Sequence, residues 1–257
     1  MSDLMAVLHL QFHPGSNAQD AKSPAGSSLQ QVLASIAKTP EFQDRRGSCE
    51  VFSGCSLGDP DRVVVLICLP NASLETNKTT AALDALLAPL SPHIMPSAGP
   101  SVYTFSRRLR RRDLRSSGVH GLTILRFPTT IADMDEESDD PDSCFQEGLA
   151  LLEQFGSTAA WGIACDGPGD LIAQLDARSM TEEQATELLL LHVWRSEQAM
   201  RRFKDPEKGN AYDATPPTGF EHTPDDLWDR CWARGLDLLR KNGVVTEEVH
   251  VKLIPQS

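Results

Sequence analysis

The chain runs through the same plan twice, and that repetition constrains its fold more than any single residue does. Val7-Leu8-His9-Leu10-Gln11-Phe12 lays over Leu122-Thr123-Ile124-Leu125-Arg126-Phe127. Polar loops of equal length follow, His13 to Ser27 and Pro128 to Asp142, and each leads into an apolar helix, Ser28–Thr39 and Ser143–Gly156. Repetition on this scale speaks of architecture. Each copy is a supersecondary unit that exposes an apolar sheet face and needs a partner layer to cover it.

In the first copy, Leu29, Val32, Leu33 and Ile36 share one helical face, with Ser27 or Ser28 available as the cap and Pro40 past the end. Cys49–Cys55 and Arg62–Leu69 read as strands joined by the turn-forming SLGDPD. The second strand, RVVVLICL, is apolar on both faces and so must be covered on both. A helix over Leu74–Leu90 and a strand over Ser101–Phe105 complete the unit. In the second copy the strand Leu122–Phe127 and a helix over Cys144–Phe155 are followed by two expected strands, Ala159–Cys165 and Leu171–Asp176, across DGPGD. Met180–Phe203 reads as one long helix, Pro224–Lys241 as an additional helix stopped by Asn242-Gly243, and Glu248–Leu253 as the last strand. Both halves therefore spell β-α-β-β-α-β, the ferredoxin-like pattern. The expected class is α+β: a first unit over 1–112 and a second over 113–257 with an extra helix at 224–241. Their bare sheet faces would mate inside one chain as a pseudo-dimeric α/β barrel.

Composition narrows the function classes. At 257 residues the chain has room for one large domain or two of roughly 100–150 residues. A net charge of −12 argues against nucleic acid and anionic membrane as partners. The arginine-rich run from Arg107 to Arg115 lacks the interleaved aromatics that stack on bases, and the acidic run from Asp133 to Asp142 reads as a solvated loop. No apolar run reaches the ~20 residues of a bilayer span. The opening MSDLMAVLHLQFHPG has no basic flank and long apolar core, and the six cysteines have no CxxC spacing. A cytoplasmic location is the expectation.

The segment LLLLHVWRSEQAMRRFKDP is similar to the aliphatic-Trp-x-Ser-x6-Phe segment of the dimeric α/β-barrel superfamily, here through Trp194, Ser196 and Phe203. The ending TEEVHVKL resembles that family's final strand. The superfamily includes antibiotic-biosynthesis-monooxygenase-like, EthD-like and polyketide-cyclase-like proteins. The first half lacks the Trp-x-Ser signature and reads as the degenerate copy. The resemblance implies a pocket between the sheet and helices of a unit, and hydrophobic, often aromatic or polyketide-derived substrates processed without metal or organic cofactor.

Histidine titrates near neutral pH and is the first candidate for moving protons. His9 and His250 lie in strands, as general acid/base groups or as hydrogen-bonded strand residues. His192 falls on the expected sheet-facing side of the long helix, where a satisfied core histidine is the competing reading. Arg126 and Gln11 occupy matching positions in the overlay, as do Tyr103 and His250. Arg126 or Tyr103 could stabilise an oxyanion, although Arg126 could instead pair with Asp176 or Glu248. Trp161 and Trp194, with Phe203 and Gln11, would hold a flat apolar ligand or simply pack the core. There is no nucleophile elbow, phosphate loop or dinucleotide fingerprint, and no zinc-like spacing; His9 and His13 would stand about 13 Å apart on a strand. The expectation is a cofactor-free, metal-free enzyme of secondary metabolism, with a hydrophobic small molecule as partner. It would oxygenate that molecule, or cyclise, isomerise or decarboxylate it by acid–base chemistry. A non-catalytic small-molecule-binding or stress-response barrel is the alternative. Two copies in one chain make a monomer sufficient, and a homodimer is also compatible.

Overall fold

A computed structural model describes residues 4–44, 47–69, 76–96, 101–105, 114, 118–131, 134, 145–164, 171–179, 186–204 and 228–256. The chain forms two compact units. The first comprises Met1–Arg115, Ala177–Met180 and Val249–Ser257; the second comprises Ser116–Asp176 and Thr181–Glu248.

In the first unit, β1 (Leu4–Gln11), α1 (Pro24–Lys38), β2 (Glu50–Cys55), β3 (Arg62–Leu69), α2 (Thr76–Leu87) and β4 (Ser101–Phe105) follow in order. β1 is central. It runs antiparallel to β3 from Leu4↔Leu69 to Gln11↔Arg62, and to β4 from Leu4↔Thr104 to Val7↔Ser101. β2 lies outside β3, so the order β2-β3-β1-β4 is the ferredoxin-like one. Ser23 caps α1 by accepting the Gly26 amide, and Pro24 fills the first helical position, where its missing N–H costs nothing. The helix buries Leu29, Val32, Leu33 and Ile36, the face that the spacing predicts.

Period-two alternation sorts the sheet. Leu4, Ala6, Leu8 and Leu10 join Val63, Val65, Ile67 and Leu69 in one core with the helical residues of α1 and Leu83 of α2. Met5, Val7, Phe52, Val64, Leu66 and Tyr103 point the other way and are also buried. β3 thus carries apolar residues on both faces, as expected of a strand covered on both sides. Residues 177–179 pair with β4, and a short strand over 254–256 pairs with β2 at Ser53↔Ile254.

In the second unit, β5 (Val119–Arg126) is followed by α3 (Phe145–Ala164), β6 (Leu171–Ser179), β7 (Glu187–Trp194) and α4 (Glu197–Lys204). A π-helical turn at Trp228–Ala233 then enters α5 (Arg234–Lys241), before β8 (Val245–Val251); the short β9 (Ile254–Gln256) belongs to the first unit. β5 and β7 pair antiparallel along their whole length, from Val119↔Trp194 to Arg126↔Glu187. β8 flanks β5 and β6 flanks β7, so the strands stand in the same relation as in the first unit.

Two sequence-based expectations fail here. The long helix expected over Met180–Phe203 is, among the described residues, a strand and a separate short helix: ELLLLHVW forms β7, and the helix covers Glu197–Lys204. Its central apolar run is buried on both faces, and such a run fits a doubly covered strand as well as a buried helix. The strand expected over Ala159–Cys165 belongs instead to α3, which continues to Ala164. Ala159, Ala160 and Ala164 favour that outcome, since alanine is the strongest helix former. The acidic run over 135–142, most of the arginine run and the segment 210–223 lie outside the described residues.

Helices α3 and α5 cross at a glycine pair. A Cβ on Gly148 would lie 3.1 Å from the Gly235 carbonyl oxygen, and one on Gly235 would lie 3.0 Å from that of Gly148. The missing side chains let the backbones approach and press α5's Leu239 and Leu236 into the core with Leu152 and Phe155.

Candidate functional site

On the helix side of its sheet the second unit gathers the aromatic side chains of Phe155, Trp194, Trp228 and Trp232. Along β7, Leu190, His192 and Trp194 alternate toward the helices, while Leu189, Leu191 and Val193 face the other way; the first set carries the ring and core contacts. Opposite them on β5, Gly121 stands across from His192 and Thr123 across from Leu190. His192 is only 2% exposed. Its imidazole meets Trp232 edge-on at 4.6 Å between ring centroids, Phe155 at 5.6 Å and Trp194 at 6.0 Å.

Behind this first ring of contacts, Trp228 lies 5.8 Å from Phe155, 6.4 Å from Trp194 and 5.7 Å from Trp232. Trp228 and Trp232 both belong to the π-helical turn, a rare backbone form that recurs at functional sites. Trp194 and Trp232 are fully buried, whereas Trp228 is half-buried at the outer edge of the cluster.

Polar groups enter this apolar box at defined points. Among the described residues, the buried Thr123 hydroxyl and Trp232 Nε1 have no hydrogen-bond partner. Buried polar atoms of this kind are uncommon, because each forfeits a hydrogen bond it had in water. At the outer edge, Lys204 Nζ sits 4.7 Å from the Trp228 ring centroid and is ion-paired and hydrogen-bonded to Glu248. Burial pushes the Lys204 ammonium below its ordinary pKa, against the opposing pull of Glu248.

Local sequence explains the placement. Trp194 ends β7, and two residues on the Ser196 hydroxyl accepts the Ala199 amide, capping α4. The Trp-x-Ser segment is therefore a strand end and a helix start. Gly118 makes the close approach possible: a Cβ there would fall 1.8 Å from the Trp194 carbonyl oxygen.

The residues singled out from sequence separate into two groups. His192, Trp194 and Arg126 lie in the second unit, as do Trp161 and Phe203, whose side chains are outside the described set. His9, Gln11, Tyr103 and His250 lie in the first. Among those whose side chains are described, His192 and Trp194 meet in the ring cluster. His192 faces the helices from a strand rather than the sheet from a helix, the reverse of the expectation.

Arg126 is held by Glu187 at 3.0 Å and Glu247 at 2.6 Å, not by the expected Asp176 or Glu248. The cross-strand register sets Glu187 directly opposite it. In the first unit, Gln11 donates to Asp59, and Arg62 donates to His9 Nδ1 at 3.2 Å, which puts a neutral imidazole's proton on Nε2. Tyr103 is completely buried, and half-buried His250 accepts the Leu57 amide through its carbonyl. Sequence reasoning missed Thr123, Phe155 and Lys204 as site residues. A threonine inside an apolar strand was the one available sign.

No group of three or more His, Cys, Asp or Glu converges as a metal site among the described residues. No family model matches the chain, and no curated protein matches it. Solved structures do. An anthrone oxidase-like protein superposes with a TM-score of 0.54 at 11% identity, over 98% of this chain and 91% of that one. A monooxygenase candidate from Fusobacterium nucleatum superposes with a TM-score of 0.51 at 6% identity, over 100% of this chain and 94% of that one. At such identities the likeness carries the architecture alone: the chain has the α+β fold, with antiparallel ferredoxin-like sheets, found in these oxidase- and monooxygenase-like proteins.

Proposed function

We propose that the chain is an enzyme acting on a hydrophobic aromatic or polyketide-like small molecule, bound in the second unit between its sheet and its helices. The observation that carries this reading is His192, a titratable group walled in by Phe155, Trp194 and Trp232. The unpartnered Thr123 hydroxyl and Trp232 Nε1, both in the same layer, support it as donors for a ligand oxygen. The architecture shared with oxidase- and monooxygenase-like proteins supports oxygenation as the chemistry.

In that reading His192 takes a proton from an activated carbon or phenol of the substrate. The resulting electron-rich anion reacts with dioxygen directly, without an organic cofactor. For an anthrone-type substrate, one oxygen atom becomes the new carbonyl. The other leaves as water with the two hydrogens of the oxidised carbon. Burial of the rings keeps bulk water from quenching the anion. The proposal extends to the architecture. The two units are tandem copies of one plan within one chain, so a monomer is functional.

Oxygen-electrode assays with anthrone and 1-naphthol test the chemistry. Consumption of dioxygen by the native chain, lost in His192→Ala while calorimetric binding persists, is the expected result. Binding of these compounds with no turnover, in the native chain and the variant alike, would replace the enzyme by a ligand-binding protein. Light scattering at the monomer mass is expected for the tandem-copy proposal, and an obligate dimer contradicts it.

A further inference from the structure

The ring cluster carries a cation that the proposed chemistry does not use. Lys204 ends α4 with its ammonium over the face of Trp228, and its side chain is only 19% exposed. Its carboxylate partner, Glu248 on β8, is twice as exposed, at 38%. The geometry is that of a desolvated cation with a replaceable counter-ion at the outer edge of an aromatic box. Water screens such a charge poorly, so an anionic oxygen set beside it gains a strong charge-assisted hydrogen bond. A flat ligand with its rings toward Trp228 and Trp232 would bring an acidic substituent to the position that the Glu248 carboxylate holds.

We infer that Lys204 determines specificity, selecting aromatic ligands that bear an anionic oxygen (a carboxylate or phenolate), and that Glu248 is the resident counter-ion which such a ligand displaces. This inference rests on the proposed ligand site in the second unit. It adds a substrate class to it. Lys204 binds and orients in this account; the proton chemistry stays with His192. A purely structural Lys204–Glu248 pair predicts no preference for charge in the ligand, and that difference is measurable.

The test is calorimetric titration of the full chain with 2-naphthoate and with its neutral isostere 2-naphthamide. The native protein is expected to prefer the carboxylate by about tenfold, the scale of one charge-assisted hydrogen bond. Lys204→Met should erase the preference while leaving the amide affinity within about twofold. Glu248→Gln should tighten naphthoate several-fold and leave the amide unchanged, because the competing carboxylate is gone. Thermal melts establish that each variant is folded, and Glu248→Gln carries the test if Lys204→Met is not.

Equal affinity for both probes in the native chain, or weaker naphthoate binding in Glu248→Gln, overturns the inference and leaves the ring-cluster site standing. If neither probe binds, the site itself falls and takes the inference with it.

Discussion

Replacing Gly118 with alanine should be among the most damaging single-methyl changes in this protein. The added Cβ would lie 1.8 Å from the Trp194 carbonyl oxygen, 3.0 Å from its carbon and 3.4 Å from the Arg195 carbonyl carbon. All three atoms are backbone, so no side chain can swing away. Relief requires β5 and the end of β7 to separate by more than an ångström at Val119↔Trp194, the terminal rung of their pairing. Overpacking typically costs 1–3 kcal/mol, and a backbone-on-backbone clash belongs at the upper end, about 3 kcal/mol. At roughly 2–4 °C per kcal/mol for a protein of this size, the melting temperature should fall by about 6–12 °C. Gly58→Ala is the control, because nothing lies within 4 Å of the Cβ it would add; it should stay within about 0.5 kcal/mol. Thermal unfolding by circular dichroism reads both. If Gly118→Ala melts within a degree or two of the native chain while folded, the close approach of the two strands beneath Trp194 is wrong, and so is the platform proposed for the site.

Three further outcomes follow from the same structure. Leu239→Ala, at a fully buried position against Gly148 in the α3–α5 crossing, should cost about 2–5 kcal/mol in urea unfolding; a loss below 1 kcal/mol would contradict that packing. Arg126→Met should lower stability by about 1 kcal/mol or less, because its pairs with Glu187 and Glu247 are partly solvated, and it should leave binding of 1-naphthol intact; abolished binding would return Arg126 to the site. Lys204 titrates below its ordinary 10.5 in the folded chain. Between that lowered value and 10.5, the unfolded chain therefore holds a proton that the folded one has lost, and stability climbs with pH through the window. Urea midpoints at a series of alkaline pH values should show this rise in the native chain relative to Lys204→Met; parallel curves would show that the ammonium is not desolvated.

The legible parts of this fold are those where one face of an element meets water or where turn residues mark an element's ends. α1 announced itself through the Leu29–Ile36 stripe, although it starts earlier than the expected Ser27 or Ser28 cap, at Ser23 and Pro24. β2 and β3 were marked by the turn residues between them. β7 was misread because Leu189, Leu190, Leu191, His192 and Val193 are all buried. With no polar face, periodicity cannot separate strand from helix there. The same run explains the mixed outcome at the site. His192 was picked out as a polar group in an apolar stretch, which is independent of secondary structure, but its orientation was inferred from a helix that is not there. Trp194 was legible through the motif it belongs to. Lys204 was invisible because a lysine ending an amphipathic helix reads as solvated, and only tertiary packing against Trp228 and Glu248 changes that. The ferredoxin-like order survived both misassignments, since a helix that absorbed one strand was balanced by a strand that replaced part of another helix.

The claim on which everything else depends is that a ligand enters the ring cluster at His192. Imidazole-selective nitrogen–proton NMR during titration with 1-naphthol, with His192→Gln to assign the resonance, reads this directly. The account predicts a saturable shift of the His192 signals with ring-current character, at the ligand concentration where calorimetry shows binding. A His192 resonance that stays fixed through saturation, while other histidines move, would contradict it.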